Sequence, residues 1–174
     1  RHLALVPTDP PPTQRGARVS KTTAGRFFED FRVGQALRHA TPRTITEGDV
    51  AMYNALYGSR FAVQSSDEFA RAIGLPCAPV DDLLTFHMVF GKSVPDVSIN
   101  AVANLGYANG SFEAPVYPGD TLSATSTVTG LKQNSNGKTG VVYVDTVGRN
   151  QDDAIVLRYS RWVMVHKRNH EAPV

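Results

Sequence analysis

The chain has 174 residues, of which 41% are hydrophobic and 20% charged, and its formal net charge is +2. That length suits one domain, the composition is that of a packed globule, and so small a net charge gives no electrostatic footprint for nucleic acid, whose binding needs a clustered basic face. One cysteine, Cys77, excludes an internal disulfide framework and a cysteine-based zinc site and fits a reducing cytoplasm, while no apolar run approaches the roughly 20 residues of a membrane helix.

Residues 1–24 hold Pro7, Pro10, Pro11 and Pro12 without a periodic apolar pattern, which predicts a flexible proline-rich arm. The first six residues are too few, and too soon followed by proline, for a signal peptide. A folded domain is expected over 25–168, opening at the aromatic cluster Phe27, Phe28 and Phe31, with a short tail at 169–174. A first strand is predicted at Gln35–Thr44. Thr46 then caps a helix with Asp49 in the capping-box position, and Val50, Tyr53, Leu56 and Tyr57 give its apolar stripe, stopped at Gly58. Tyr53 and Tyr57 are assigned to helix packing. A short second helix runs from Ser66-Asp67-Glu68 through Ile73, with Gly74 as its stop.

The strongest helical signal is Val80–Lys92, where Leu83, Leu84, Phe86, Met88, Val89 and Phe90 leave almost no polar face and predict burial. After Pro95 come four β-like runs, Ser98–Phe112, Thr121–Leu131, Gly140–Val147 and Ala154–His166. Turn-formers separate them at Pro118-Gly119-Asp120, Asn134-Ser135-Asn136-Gly137 and Asn150-Gln151-Asp152-Asp153. Short turns between consecutive strands predict an antiparallel meander, with Trp162 in the sheet core. The expected class is α+β, a single hot-dog fold in which a curved antiparallel sheet wraps a buried central helix. Periodicity alone also admits another α+β sheet.

Phe112-Glu113-Ala114-Pro115-Val116-Tyr117-Pro118-Gly119-Asp120-Thr121-Leu122 resembles the Phe-x-x-Pro-Val-x-x-Gly-Asp-Thr-Leu stretch of MaoC-like hydratases. Its mechanical content is a turn at Pro118-Gly119-Asp120 and a proline at a strand end, so the motif is structural. Further stretches resemble the mesaconyl-CoA hydratase (β-methylmalyl-CoA dehydratase) group of that family. They are Thr46-Glu47-Gly48-Asp49-Val50, Leu56 through Ala62, Gln64-Ser65-Ser66-Asp67, Asp81-Asp82-Leu83-Leu84, Asn100 through Tyr107 and Gln133 through Gly140. The resemblance covers about residues 25–168. Many members of that group carry two hot-dog halves, and this chain matches the first.

Hydrating an enoyl thioester needs a base for water, an acid for the α-carbon and donors for the thioester oxygen. In the family an Asp and a His five residues apart supply the first two. Aligned through Phe69-Ala70, those positions fall on Ser59 and Gln64, which can orient water or substrate by hydrogen bonds but are not bases near neutral pH. The usual dyad is therefore absent by this alignment. Arg60 beside them offers a planar fork for a carboxylate or a CoA phosphate, or is a solvated loop residue. Asp81 and Asp82 open the central helix, as caps or as a displaced acid or base, and backbone N–H groups of that turn are candidates for the thioester oxygen. His87 lies about one and a half turns further on, as a third catalytic candidate or as a core or interface residue. Lys138, in a hairpin loop, faces a CoA phosphate or only solvent. His39, His166 and His170 receive no role.

No metal-ligand cluster, phosphate loop or dinucleotide fingerprint is present in the sequence, so no metal or cofactor is expected beyond the CoA of an acyl-CoA thioester substrate. The resemblance implies a hydro-lyase acting on mesaconyl-CoA and β-methylmalyl-CoA or a related enoyl-CoA. The alternatives are a non-catalytic hot-dog subunit beside a catalytic partner, an acyl-CoA thioesterase, or a CoA- or lipid-sensing module. In every case an exposed strand edge predicts a homodimer, or a hetero-dimer with a second hot-dog subunit.

Overall fold

The computed structural model describes residues 25–58 and 61–168. The proline-rich arm, the tail with His170, and the two loop residues Ser59 and Arg60 lie outside them. In chain order the elements are a turn of 3-10 helix at Phe28–Asp30, β1 (Ala36–Arg38), β2 (Arg43–Thr44), α1 (Glu47–Tyr57), α2 (Ala62–Ser65), α3 (Asp67–Ala72), α4 (Asp82–Val97), β3 (Ala101–Phe112), β4 (Thr121–Gln133), β5 (Thr139–Arg149) and β6 (Ile155–His166).

The single first strand expected over 35–44 is two short ones. Between them Thr41 adopts φ +58°, and Pro42 follows with no N–H to give to a ladder, so the pairing with β4 breaks and resumes. The helix starts follow their sequence signals. Thr46 Oγ accepts from the Asp49 N–H at 3.1 Å and Asp49 Oδ2 accepts from the Thr46 N–H at 2.9 Å, a reciprocal capping box. Ser66 Oγ caps α3 by accepting the Phe69 N–H at 3.2 Å, without a reciprocal bond. The four long strands appear where their periodicity places them.

Their connectivity is not the expected simple meander. The sheet order is β1-β4-β5-β6-β3, so β3 pairs with β6 rather than with the strand that follows it. Only β4, β5 and β6 form a meander. The chain leaves β3 at one side of the sheet and returns through 113–120 to the other, which makes β3 an edge among the described strands.

The inner face alternates along each strand: Leu122, Ala124, Ser126 and Val128 on β4, Val142, Val144 and Thr146 on β5, Leu157, Tyr159, Arg161, Val163 and Val165 on β6 are all buried. Helix α4 lies across this face through Leu84, Thr85, Val89, Ser93 and Val97. It approaches closely because β5 carries a glycine beneath it; a Cβ on Gly148 would sit 2.7 Å from Val89 Cγ2. The helix also runs past Lys92 to Val97, with Pro95 inside it.

Two burial expectations need correction. Helix α4 is not enclosed all round. Asp82, Leu83, His87, Gly91 and Pro95 form an exposed strip, with Leu83 58% exposed, because the sheet covers one side of the helix only. Trp162 is not in the core either. It falls on the opposite parity from Arg161 and Val163, so it lies on the outer face, stacked on its cross-strand partner Tyr143 at 6.5 Å and seated over Gly106.

A buried polar chain crosses the interior. Asp96 in the last turn of α4 contacts His39 Nδ1 at 2.9 Å and Arg26 Nη1 at 2.7 Å. On the other side of the ring, His39 Nε2 lies 2.8 Å from Ser126 Oγ, which lies 2.7 Å from Thr146 Oγ1. The order Ser126, His39, Asp96 is that of a nucleophilic triad. Here it is structural, because Ser126 is fully buried against Thr146.

Candidate functional site

The first turn of α4 is held by the segment that resembles the hydratase motif. The Val80 N–H, just before the helix, donates to the Val116 carbonyl at 2.7 Å. The Gly119 N–H donates to the Ile45 carbonyl at 2.7 Å, and the Ile45 N–H returns a bond to Asp120 at 2.8 Å. One turn-rich segment therefore braces the starts of both α1 and α4. The motif carries no chemistry of its own; it positions the two helices that frame the site.

Asp81 and Asp82 have different environments despite being neighbours. Asp81 is the N-cap of α4, its carboxylate accepting the Leu83 N–H at 2.8 Å. This removes one backbone donor from the set open to a thioester oxygen. Asp82 makes no such bond. Partial burial of its carboxyl, and then the negative charge of Asp81, push it above its ordinary value.

Residues from α1 complete the cluster. Tyr53 Oη is raised first by burial and then by the charges of Asp81 and Tyr57. The Tyr53 ring sits 4.9 Å from that of Tyr57 and 6.4 Å from the imidazole of His87. A cleft of about 240 Å³ opens between Tyr53, Tyr57, Gly58, Phe61, Asp81 and Leu83, and its rim is apolar and exposed, with Tyr57 at 69% and Phe61 at 68%. The structure thus brings Asp81 and His87 to one place around Tyr53, with Asp82 on the same helix turn. Tyr53, assigned from sequence to packing alone, is the residue that joins them.

Gln64 is elsewhere. It lines a second cleft of about 450 Å³ with Glu47, Asn54, Asp67, Cys77 and Pro118. Positions 47, 50, 51 and 54 of α1 face this cleft, whereas 53 and 57 face the first, so the helix stands between them. Gln64 Oε1 is buried there without a hydrogen-bond partner among the described residues, and the Gln64 backbone N–H donates to the Phe61 carbonyl at 3.1 Å. Ser59 and Arg60, between α1 and α2, lie outside the described residues. Lys138 sits exposed in the β4–β5 hairpin, with its N–H bonded to Asn136 Oδ1 at 2.9 Å.

Among the described residues, no group of three or more His, Cys, Asp or Glu side chains is placed to hold a metal ion, and no helix is long and apolar enough to cross a membrane.

Sequence reasoning passed over Arg161 and Tyr159. Both point inward from β6 and are 0% and 3% exposed. A signal was available, since Arg161 shares the parity of Leu157, Val163 and Val165 in an otherwise apolar row.

Residues 29–150 match the family model described as the MaoC like domain. Over 154 residues the chain is 68% identical to the β-methylmalyl-CoA dehydratase of Chloroflexus aurantiacus, covering 88% of this chain and 44% of that protein. It is 64% identical over 153 residues to the mesaconyl-CoA hydratase of Cereibacter sphaeroides, covering 88% of this chain and 45% of that one. A Mycobacterium tuberculosis protein with a double hot-dog fold superposes with a TM-score of 0.78 at 26% identity, over 86% of this chain and 47% of its own. The chain spans about half the length of the curated relatives it matches. One curved antiparallel sheet with a helix across its inner face is the hot-dog fold, and with the family model matching 29–150 this chain belongs to the MaoC-like domain family.

Proposed function

We propose that this chain is part of a hydro-lyase that interconverts mesaconyl-CoA and β-methylmalyl-CoA, or a related enoyl-CoA pair. The observation that carries the reading is its 68% and 64% identity, over 88% of the chain, to two proteins named for that conversion. The start of α4 has suitable chemistry. Water adds its oxygen to the β-carbon of the conjugated thioester as a base takes its proton, and a proton is delivered to the α-carbon. Asp82, with its carboxyl pushed upward and free of a capping duty, is better suited to that proton transfer than Asp81, which is engaged with Leu83. The Asp82 and Leu84 N–H groups lie beside the capped one and suit the thioester oxygen. His87 lies edge-on to Tyr53, whose ring lines the neighbouring cleft. Ser59, in place of the family's Asp, serves as a hydrogen-bonding group for substrate or water, Gln64, in place of its His, does so only from the second cleft on the other side of α1, and Arg60 serves as a clamp for an anionic part of the thioester. The reaction uses no cofactor beyond the CoA of its substrate, and a cytoplasmic setting fits the free Cys77.

A second reading has its own support. The chain spans 44% of the dehydratase it resembles, α4 keeps an exposed strip, and the edge strand β3 exposes Val102, Leu105 and Tyr107. In this reading the chain is a non-catalytic hot-dog unit that completes a site on a second one.

The deciding assay follows loss of the conjugated thioester on adding mesaconyl-CoA to the purified chain, with the product identified. Turnover that falls at least a hundredfold in Asp82→Asn but little in Asp81→Asn supports the hydratase with a displaced carboxylate. Binding without turnover overturns it in favour of the non-catalytic unit, and release of free CoA would make the chain a thioesterase.

A further inference from the structure

Arg161 is a fully buried guanidinium with an incomplete set of partners. Its Nη1 reaches Asn104 Oδ1 at 3.4 Å, and the Phe90 ring lies 4.8 Å beneath the guanidinium carbon. Nε and Nη2 are buried and have no hydrogen-bond partner among the described residues, and neither has the Tyr159 hydroxyl, two residues away on the same face of β6. No carboxylate among the described residues forms an ion pair with Arg161. Asp96, the acid linked to the nearby His39, is already taken by His39 and Arg26. A buried cation without an anion is strongly unfavourable, and its loose donors here are two on one edge of the guanidinium, parallel and coplanar. That edge matches the two oxygens of a carboxylate.

We infer that the Nε–Nη2 edge of Arg161, with the Tyr159 hydroxyl, is a binding site for a carboxylate brought from outside the described residues. Tyr107, the cross-strand neighbour of Arg161, is 47% exposed on the edge strand, so the site is closest to solvent where β3 has no neighbour. Two sources carry the same chemistry. One is the free carboxylate of a dicarboxylic acyl thioester such as mesaconyl-CoA, which rests on the hydro-lyase reading and leaves Arg60 to the CoA phosphates. The other is an Asp or Glu side chain of a second hot-dog unit laid along β3.

The test compares mesaconyl-CoA with tiglyl-CoA, which has a methyl group where mesaconyl-CoA has its carboxylate, by titration calorimetry on the wild-type chain and on Arg161→Met and Arg161→Lys. With an acyl source, the wild type prefers mesaconyl-CoA at least tenfold, Arg161→Lys keeps part of the preference, and Arg161→Met loses it while holding tiglyl-CoA within twofold of wild type. A preference that survives in folded Arg161→Met overturns the acyl source. If neither thioester binds the wild type, the hydro-lyase reading falls, and Arg161 is then read by sedimentation. At least tenfold weaker self-association in Arg161→Met and Arg161→Lys supports a carboxylate lent by another chain. Association unchanged in both variants, with no thioester preference to lose, overturns the site.

Discussion

His39 and Asp96 meet at 2.9 Å and tie the first strand of the sheet to the last turn of the central helix. With the ring neutral and Asp96 ionised, the Nδ1–H donates to the Asp96 carboxylate, which leaves Nε2 to accept from the Ser126 hydroxyl and the Ser126 oxygen to accept from Thr146. Burial lowers His39 below its ordinary 6.5; the hydrogen bond and charge of Asp96 oppose this, and Arg161 and Arg26 add to it. The fold therefore favours the neutral ring. Its contribution to stability is complete above pH 6.5 and is lost as the pH falls from there through the folded value. Burial tends to raise Asp96, but the hydrogen bonds from His39 and Arg26 bring it below its ordinary 3.8, so its own contribution persists until lower pH.

We expect the melting temperature of the wild-type chain to fall between pH 7 and pH 5. His39→Gln should show a flatter profile there and a loss at pH 7 of about 1–3 kcal/mol, from the buried partners it leaves unsatisfied. Thermal unfolding at several pH values measures both. Parallel profiles for the two proteins would mean that His39 is not the titrating group.

The approach of α4 to the sheet depends on Gly148. An alanine there would press its Cβ into Val89 at 2.7 Å, in the middle of the packed helix face. Gly148→Ala should destabilise by about 1–3 kcal/mol. Gly110→Ala, with nothing within 4 Å of the new Cβ, should stay within about 0.5 kcal/mol. Urea denaturation of both variants is sufficient. Equal midpoints would show that the helix does not need the close contact.

Trp162 is the only tryptophan in the chain and reports on the outer face of the sheet. Gly106→Ala would place a methyl group within the volume of the indole, whose nearest ring atoms lack room to retreat from Tyr143 without unstacking. Fluorescence should show a shifted emission maximum and easier quenching by acrylamide, with stability lower by about 1 kcal/mol or more. An unchanged spectrum would place the indole elsewhere.

Signals confined to one stretch of chain were legible in the sequence. The Thr46–Asp49 capping box, the Ser66 cap, the Gly58 stop and the four strand runs all appear near their expected positions, because capping and alternation depend on neighbours a few residues away. The candidate site was only partly legible. Asp81, Asp82 and His87 belong to one helix and could be nominated together, but Tyr53 joins them only when α1 packs beside α4. Gln64 in α2 and Asp81 at the start of α4 line different clefts, one on each face of α1, which spacing along the chain does not show.

By itself, then, the sequence determined the longer elements, the caps of α1 and α3 and the family resemblance, all properties of local spacing. Tertiary structure alone decided that β3 pairs with β6, that α4 keeps an exposed strip, that Trp162 faces outward, that His39 bridges Asp96 and Ser126, and that Arg161 is buried with two donors unused. The physical reason is common to all five. Strand order and the burial of a given side chain arise from contacts between residues on different elements, well separated in the chain, and periodicity records which face a residue takes but not what comes to lie against it.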